Sequence, residues 1–150
     1  MTGFLLDTNA ISLLAPTKAK PVPGFVEWVE RRDFERQIFL SVVSIHEMER
    51  GIHRLEGTGA VRKAEALRTW LLGLIEGYDD KILPVALWTA TLSGQAEAAA
   101  IGAGRNPGMA DALIAGTAKA LGLTVVTDNV GDFVACGVAP LRPAEAVAQA

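Results

Sequence analysis

One stretch, residues 109–133 (MADALIAGTAKALGLTVVTDNVGDF), constrains the possible fold more than any other. Leu113, Ile114, Ala118 and Leu121 recur at helical spacing, and Gly122 follows as a natural left-handed stop. Leu123, Val125 and Val126 then make a short, largely β-branched run of the kind that suits a strand covered on both faces. A helix joined by one turn to a parallel strand lies against it. Three carboxylates flank this unit: Asp111 in the first helical turn, and Asp128 and Asp132 in an acidic loop after the strand.

The rest of the chain repeats the alternation. Residues 3–6 form an apolar strand that stops at Asp7, and a brief helix over 9–14 ends before Pro16. Residues 17–23, rich in Lys and Pro, read as a loop, and 25–32 as a helix with Phe25, Val26, Trp28 and Val29 clustered at its start. A second strand spans 38–43; Ser44 then opens a helix carrying Ile45, Met48, Ile52 and Leu55 on one face. Gly57 and Gly59 break it, and Val61, Ala64, Leu67, Leu71, Leu74 and Ile75 form the apolar stripe of the next helix. Residues 81–85, interrupted by Pro84, make a short edge strand, and 87–102 an alanine-rich helix. Residues 138–141 add a last strand, and Pro143 starts a terminal helix at its favoured first position.

Short apolar strands alternating with helices predict one α/β domain over residues 1–150: a three-layer α/β/α sandwich around a mostly parallel sheet. Functional groups in such sheets collect beyond the C-terminal strand ends. Asp7, Glu47 and Asp128 each fall within a few residues of such an end.

Composition narrows the function. Half the residues are hydrophobic and 21% are charged, which excludes disorder. Cys136 is the only cysteine, so no internal disulfide forms, and a reducing cytoplasm is expected. No apolar stretch is long enough to span a bilayer, and the start of the chain lacks a signal-peptide pattern. Net charge is −3, and ten of the fourteen Lys and Arg lie at or before Arg68. From Asp79 onward four basic residues face seven carboxylates. An acidic half of this kind needs a cation before a polyanion can approach.

Singly, each acid has an ordinary reading. Asp7 caps the short helix after it. Ser44-Ile45-His46-Glu47 matches a capping box. Asp111 favours the helix macrodipole, and Asp128-Asn129 and Gly131-Asp132 are common turn pairs. As a set, four carboxylates converging on one crevice resist ionisation unless a cation sits among them, and Mg²⁺ or Mn²⁺ is the natural occupant. Other chemistries fail. His46-Glu47 begins a zinc-protease motif whose second histidine is replaced by Arg50, and no GxxxxGK, GxGxxG or GxSxG occurs. His46 and His53 read as surface or boundary residues, Cys136 as packing, and Trp28, Trp70 and Trp88 as core or interface.

Taken in order, Leu6-Asp7-Thr8-Asn9, Ser44-Ile45-His46-Glu47 with Gly51, Asp111-Ala112-Leu113-Ile114-Ala115, and Thr127-Asp128-Asn129 with Asp132-Phe133 resemble PIN-domain ribonucleases, and most of all the VapC-type toxins. The likeness runs from Phe4 to about Leu141. It implies a Mg²⁺- or Mn²⁺-dependent endoribonuclease, usually a homodimer, cleaving RNA and held inactive by a cognate antitoxin. The family's acids map onto Asp7, Glu47 and Asp111. The fourth maps onto Asp128, with Asp132 as an orienting or turn residue. Thr8, Asn9, Ser44 and Thr127 are expected to orient the acids or bound water. An acidic pocket on a net-negative chain invites a basic side chain, so the antitoxin is expected to direct an Arg or Lys toward Asp7 and Asp111. Arg50, Arg54, Arg62 and Lys63, nearby in sequence, either grip RNA phosphates or form a solvated helix face.

Two other readings stand beside it. One is a PIN scaffold that binds RNA or protein without cleaving. The other is an aspartyl phosphotransferase or receiver-like domain, although the early acidic pair and late lysine of receivers are missing, and Asn9 breaks the Asp-x-Asp of the dehalogenase type.

Overall fold

The computed structural model describes residues 3–16 and 21–149. Residues 17–20 of the expected 17–23 loop lie outside them. In chain order the elements are β1 (Phe4–Leu6), α1 (Thr8–Ser12), α2 (Phe25–Phe34), β2 (Ile38–Ser41), α3 (Val42–Gly57) and α4 (Val61–Tyr78). A 3₁₀ turn (Asp79–Lys81) leads into β3 (Ile82–Leu83), α5 (Leu87–Gly102), α6 (Met109–Leu121), β4 (Thr124–Val126), α7 (Val130–Ala135) and α8 (Pro143–Ala148).

The four strands pair in the order β3-β2-β1-β4, every pair parallel. Because side chains alternate along a strand, each strand serves two cores. Phe4, Leu6, Ile38, Leu40 and Val126 pack under α2, α3, α4 and α8 on one face. Leu5, Val125 and Phe39 turn to the other face, beneath α5, α6 and α7. This is the expected α/β/α sandwich.

Trp28 anchors the first layer. It is 1% exposed, meets Phe4 edge-on at 4.9 Å and stacks on Phe25 at 5.9 Å. Small residues set the second layer. A Cβ placed on Gly116 of α6 would fall 1.9 Å from Ser93 Oγ and 2.7 Å from Ser93 N of α5, so the two helices touch backbone to backbone there. Ala96 and Ala100 of α5 and Ala115 and Ala118 of α6 are buried around this contact. The alanine-rich composition of 87–102 therefore lets α6 settle close to α5, which fixes the position of Asp111. Gly122 ends α6 in the left-handed conformation at φ 66°, as its sequence suggested.

Four local expectations need correction. Helix α3 begins at Val42, and its cap is Ser41, whose side chain accepts from Val43 N at 3.0 Å. Ser44 is therefore inside the first turn, and the Ser44–Glu47 capping box does not form. Residues 138–141 make one isolated parallel bridge between Val126 and Leu141 instead of a strand. Pro140 has no N–H to donate, and Pro143 opens α8 two residues after the bridge. The stretch after β4 is not all loop, since α7 begins at Val130 and buries Phe133. The 81–85 strand shortens to Ile82–Leu83, on the sheet edge next to Pro84.

Trp70 is half-buried, Trp88 is 61% exposed, and both histidines are exposed. Cys136 is buried in the second core. Among the described residues, no helix is long and apolar enough to cross a membrane.

Candidate active site

Adjacent parallel strands β1 and β4 end side by side, and that junction organises the acids. Asp7 follows β1 directly, and its N–H donates to Val126 O at the end of β4. The residue is 2% exposed and caps α1: Oδ1 accepts from Ala10 N at 2.8 Å. Oδ2 accepts from the Thr127 hydroxyl at 2.5 Å, across 120 residues of sequence. That hydroxyl in turn accepts from Asn129 N at 2.9 Å. The capping role of Asp7 is thus real and coexists with its place among the other acids. Burial chiefly raises the Asp7 pKa; the Thr127 and Ala10 hydrogen bonds oppose this, and the charges of Asp128 and Glu47 add to it.

Asn129 carries the connection onward. Its side-chain amide donates to Asp111 Oδ2 at 2.8 Å and to Asp132 Oδ2 at 2.9 Å. Asp111 stands in the first turn of α6. Its pKa is pushed up to about 6, mainly by burial and then by the charge of Asp7; the Asn129 bond opposes, and Glu47 and Asp132 add repulsion. Asp132, in the first turn of α7, is held below the usual carboxylate range by Asn129 and by Arg105, whose Nε donates to Oδ1 at 2.6 Å.

Glu47 enters from α3. The Thr8 hydroxyl donates to its Oε1 at 2.5 Å and lies 3.0 Å from Ser44 Oγ. Arg50 approaches Oε2 only to 3.8 Å. Asp128 behaves differently: its side chain is 59% exposed, 3.7 Å from Arg142, and it reaches Asp7 through its charge. The two aspartates after β4 therefore divide, Asp132 bonding to the amide that holds Asp111 and Asp128 facing Arg142. Asn9 is exposed in the first turn of α1.

Asn129 and Arg105 were not singled out as site residues by the sequence reading. Asn129 sits within the Thr127-Asp128-Asn129 motif, where the neighbouring acid carries the chemical signal. Nothing local distinguishes Arg105, which lies 27 residues before its partner.

Could this arrangement take a metal? Among the described residues, no three acidic, histidine or cysteine side chains stand ready around a single point. Both Asp7 oxygens are already engaged by donors. The donor chemistry does fit a hard divalent cation: every candidate ligand is a carboxylate or hydroxyl oxygen, and the mutual repulsion at Asp7 and Asp111 is the excess negative charge that such an ion relieves.

Known proteins share this fold. The PIN domain family model matches residues 4–133. The chain is 34% identical over 141 residues to Toxin FitB of Neisseria gonorrhoeae, covering 93% of this chain and 97% of that protein. It is 31% identical over 144 residues to plasmid stability protein StbB of Pseudomonas syringae pv. tomato, covering 95% and 99%. The crystal structure of FitAcB from Neisseria gonorrhoeae superposes with a TM-score of 0.78 at 31% identity, over 93% of this chain and 97% of that one. DNA-bound VapBC from Salmonella typhimurium gives 0.69 at 26% identity, over 95% and 99%.

Proposed function

This chain belongs to the PIN-domain family, and on that premise we propose that it is a metal-dependent endoribonuclease acting as the toxin of a toxin–antitoxin pair. One observation carries the reading: the hydrogen-bonded path Asp7–Thr127–Asn129–Asp111 links two acids of raised pKa where β1 and β4 end. Mg²⁺ or Mn²⁺ bound there would supply the positive charge that admits an RNA phosphate and stabilises an in-line attack by water.

In this reading Asp7, Glu47 and Asp111 hold the ion, and Asp128 adds negative charge beside Asp7. Thr127 fixes the Asp7 carboxylate, Thr8, itself bonded to Ser44, fixes Glu47, and Asp132 steadies Asn129. The exposed Arg50, Arg54, Arg62 and Lys63 lie on α3 and α4 and suit RNA phosphates. The decisive assay is cleavage of a mixed RNA pool with Mg²⁺ or Mn²⁺ against EDTA, with Asp7→Asn as control. Metal-independent cleavage, or full activity in the variant, would refute the assignment. A non-cleaving PIN scaffold is the second reading. It is favoured by the engagement of both Asp7 oxygens, and the same assay separates the two.

Partners follow from the surface. A groove of about 410 Å³ runs beside Glu47 and Thr8, walled by Met48, Ile52, Leu67 and Trp70, with Lys63 also on its lining. It suits an apolar antitoxin segment that brings an Arg or Lys to Asp7 and Asp111, since a guanidinium fork matches paired carboxylates. A second groove, mostly apolar, is lined by Val42, Val43, Met109 and Leu113 together with His46, Glu47 and Arg50, so it adjoins the site; Met109 is 68% exposed. A second copy of the chain covering this face would make the homodimer. Such a pair would work in the cytoplasm, where its RNA substrate is found.

A further inference from the structure

Arg105 is the cation bonded nearest to the Asp111 end of this acidic path, yet it pairs with Asp132 and not with Asp111. Its placement is built. The backbone N–H of Arg105 donates to Ala100 O at 2.9 Å, which ties the residue to the C-terminal end of α5. Helix α5 is locked to α6 through the Ser93–Gly116 contact, so Arg105 and Asp111 are mounted on one rigid helical pair. At the other end, Gly131 leaves room for the guanidinium: a Cβ there would fall 2.3 Å from Nη2 and 2.5 Å from Cζ.

We propose that Arg105 is a positioning residue, which holds Asp132 by one oxygen so that the other oxygen aims the Asn129 amide at Asp111. This rests on the preceding reading of Asp111 as a site acid. The geometry assigns each atom a task. Arg105 Nε occupies Asp132 Oδ1, leaving Oδ2 for Asn129 Nδ2. The same nitrogen carries a second hydrogen to Asp111 Oδ2, so a fixed Asp132 sets the amide plane and with it the direction in which Asp111 presents its other oxygen. The arginine of this ion pair is half-exposed and screened by solvent, so the pair contributes little to folding and a strong effect of its loss falls on the site. Residues that orient a metal's ligands typically change affinity or activity by about 10–100-fold when removed.

The test uses the whole chain and two independent readouts. The first is the Asn129 side-chain amide in a ¹⁵N–¹H spectrum of the metal-free protein. The second is Mn²⁺ affinity by calorimetry. Arg105→Ala should shift the Asn129 amide, speed its exchange with water and weaken Mn²⁺ binding about tenfold, with little change in thermal midpoint in EDTA. Gly131→Ala, which displaces the guanidinium and leaves Asp132 intact, should reproduce both effects. Arg105→Lys should recover part of each. An Asn129 amide unmoved in Arg105→Ala would overturn the proposal, as would Mn²⁺ affinity equal to that of the wild type. If the wild-type protein takes up no Mn²⁺, the metal reading falls, and the amide spectrum alone decides the role of Arg105.

Discussion

Replacing Asp111 by asparagine should stabilise the metal-free protein at pH 7.5 while ending RNA cleavage. The carboxyl is lifted from its usual 3.8 to about 6 by burial and by Asp7, Glu47 and Asp132. The folded chain therefore holds the Asp111 proton more tightly than the unfolded chain. Relative stability from this group is full below about pH 4 and declines as pH rises through 6, above which a buried, repelled carboxylate burdens the fold. The interval corresponds to ~3 kcal/mol at 1.36 kcal/mol per decade, and solvent reaching the half-buried group reduces it to ~1–2 kcal/mol. Asparagine removes the charge and still accepts from Asn129. For a chain of this size the gain is a rise of roughly 2–8 °C in Tm. The assay is a thermal melt in EDTA at pH 7.5 and again at pH 4, where the gain should vanish. Mn²⁺ should raise the wild-type Tm and leave the variant unmoved. A variant equally or less stable than wild type at pH 7.5, or a gain that persists unchanged at pH 4, would refute the electrostatic account.

The other predictions are briefer. Because Ser41 caps α3, Ser41→Ala should cost ~1 kcal/mol in a denaturant titration. Glu47→Gln caps nothing, so it should leave stability within ~0.5 kcal/mol while abolishing metal-dependent cleavage of a labelled RNA. Gly116→Ala drives a methyl into Ser93 and should cost ~3 kcal/mol or more, read as insoluble or molten protein on expression. Leu67→Asp, placed in the groove beside Glu47, should prevent co-purification with a cognate antitoxin while RNA cleavage persists.

What was readable in advance was local or periodic. Helix α6, its glycine stop and strand β4 follow from side-chain spacing and one turn residue, and every layer of the sandwich follows from strands alternating with helices. Asp7 at the end of β1 and Asp111 in the first turn of α6 could be placed the same way. Short motifs failed where two residues can do one job. Ser41 and Ser44 both precede or open α3, and only the backbone, extended at Ser41 with φ −111° and ψ 145°, decides that Ser41 is the cap. Ser44 is thereby released to sit beside Thr8.

Residue spacing and composition specify the α/β class, the order of the elements and which carboxylates are available to share a cation. How those acids are joined depends on the packed fold. Thr127 meets Asp7 only because β4 pairs with β1 in register, Leu6 opposite Val126. Arg105 meets Asp132 only because α5 and α6 close to backbone contact and α7 turns back over their loop. Periodicity and capping act within a few residues of chain, so a single sequence displays them. A hydrogen bond across 120 residues has no local pattern, and it arises only when packing brings the two strand ends together.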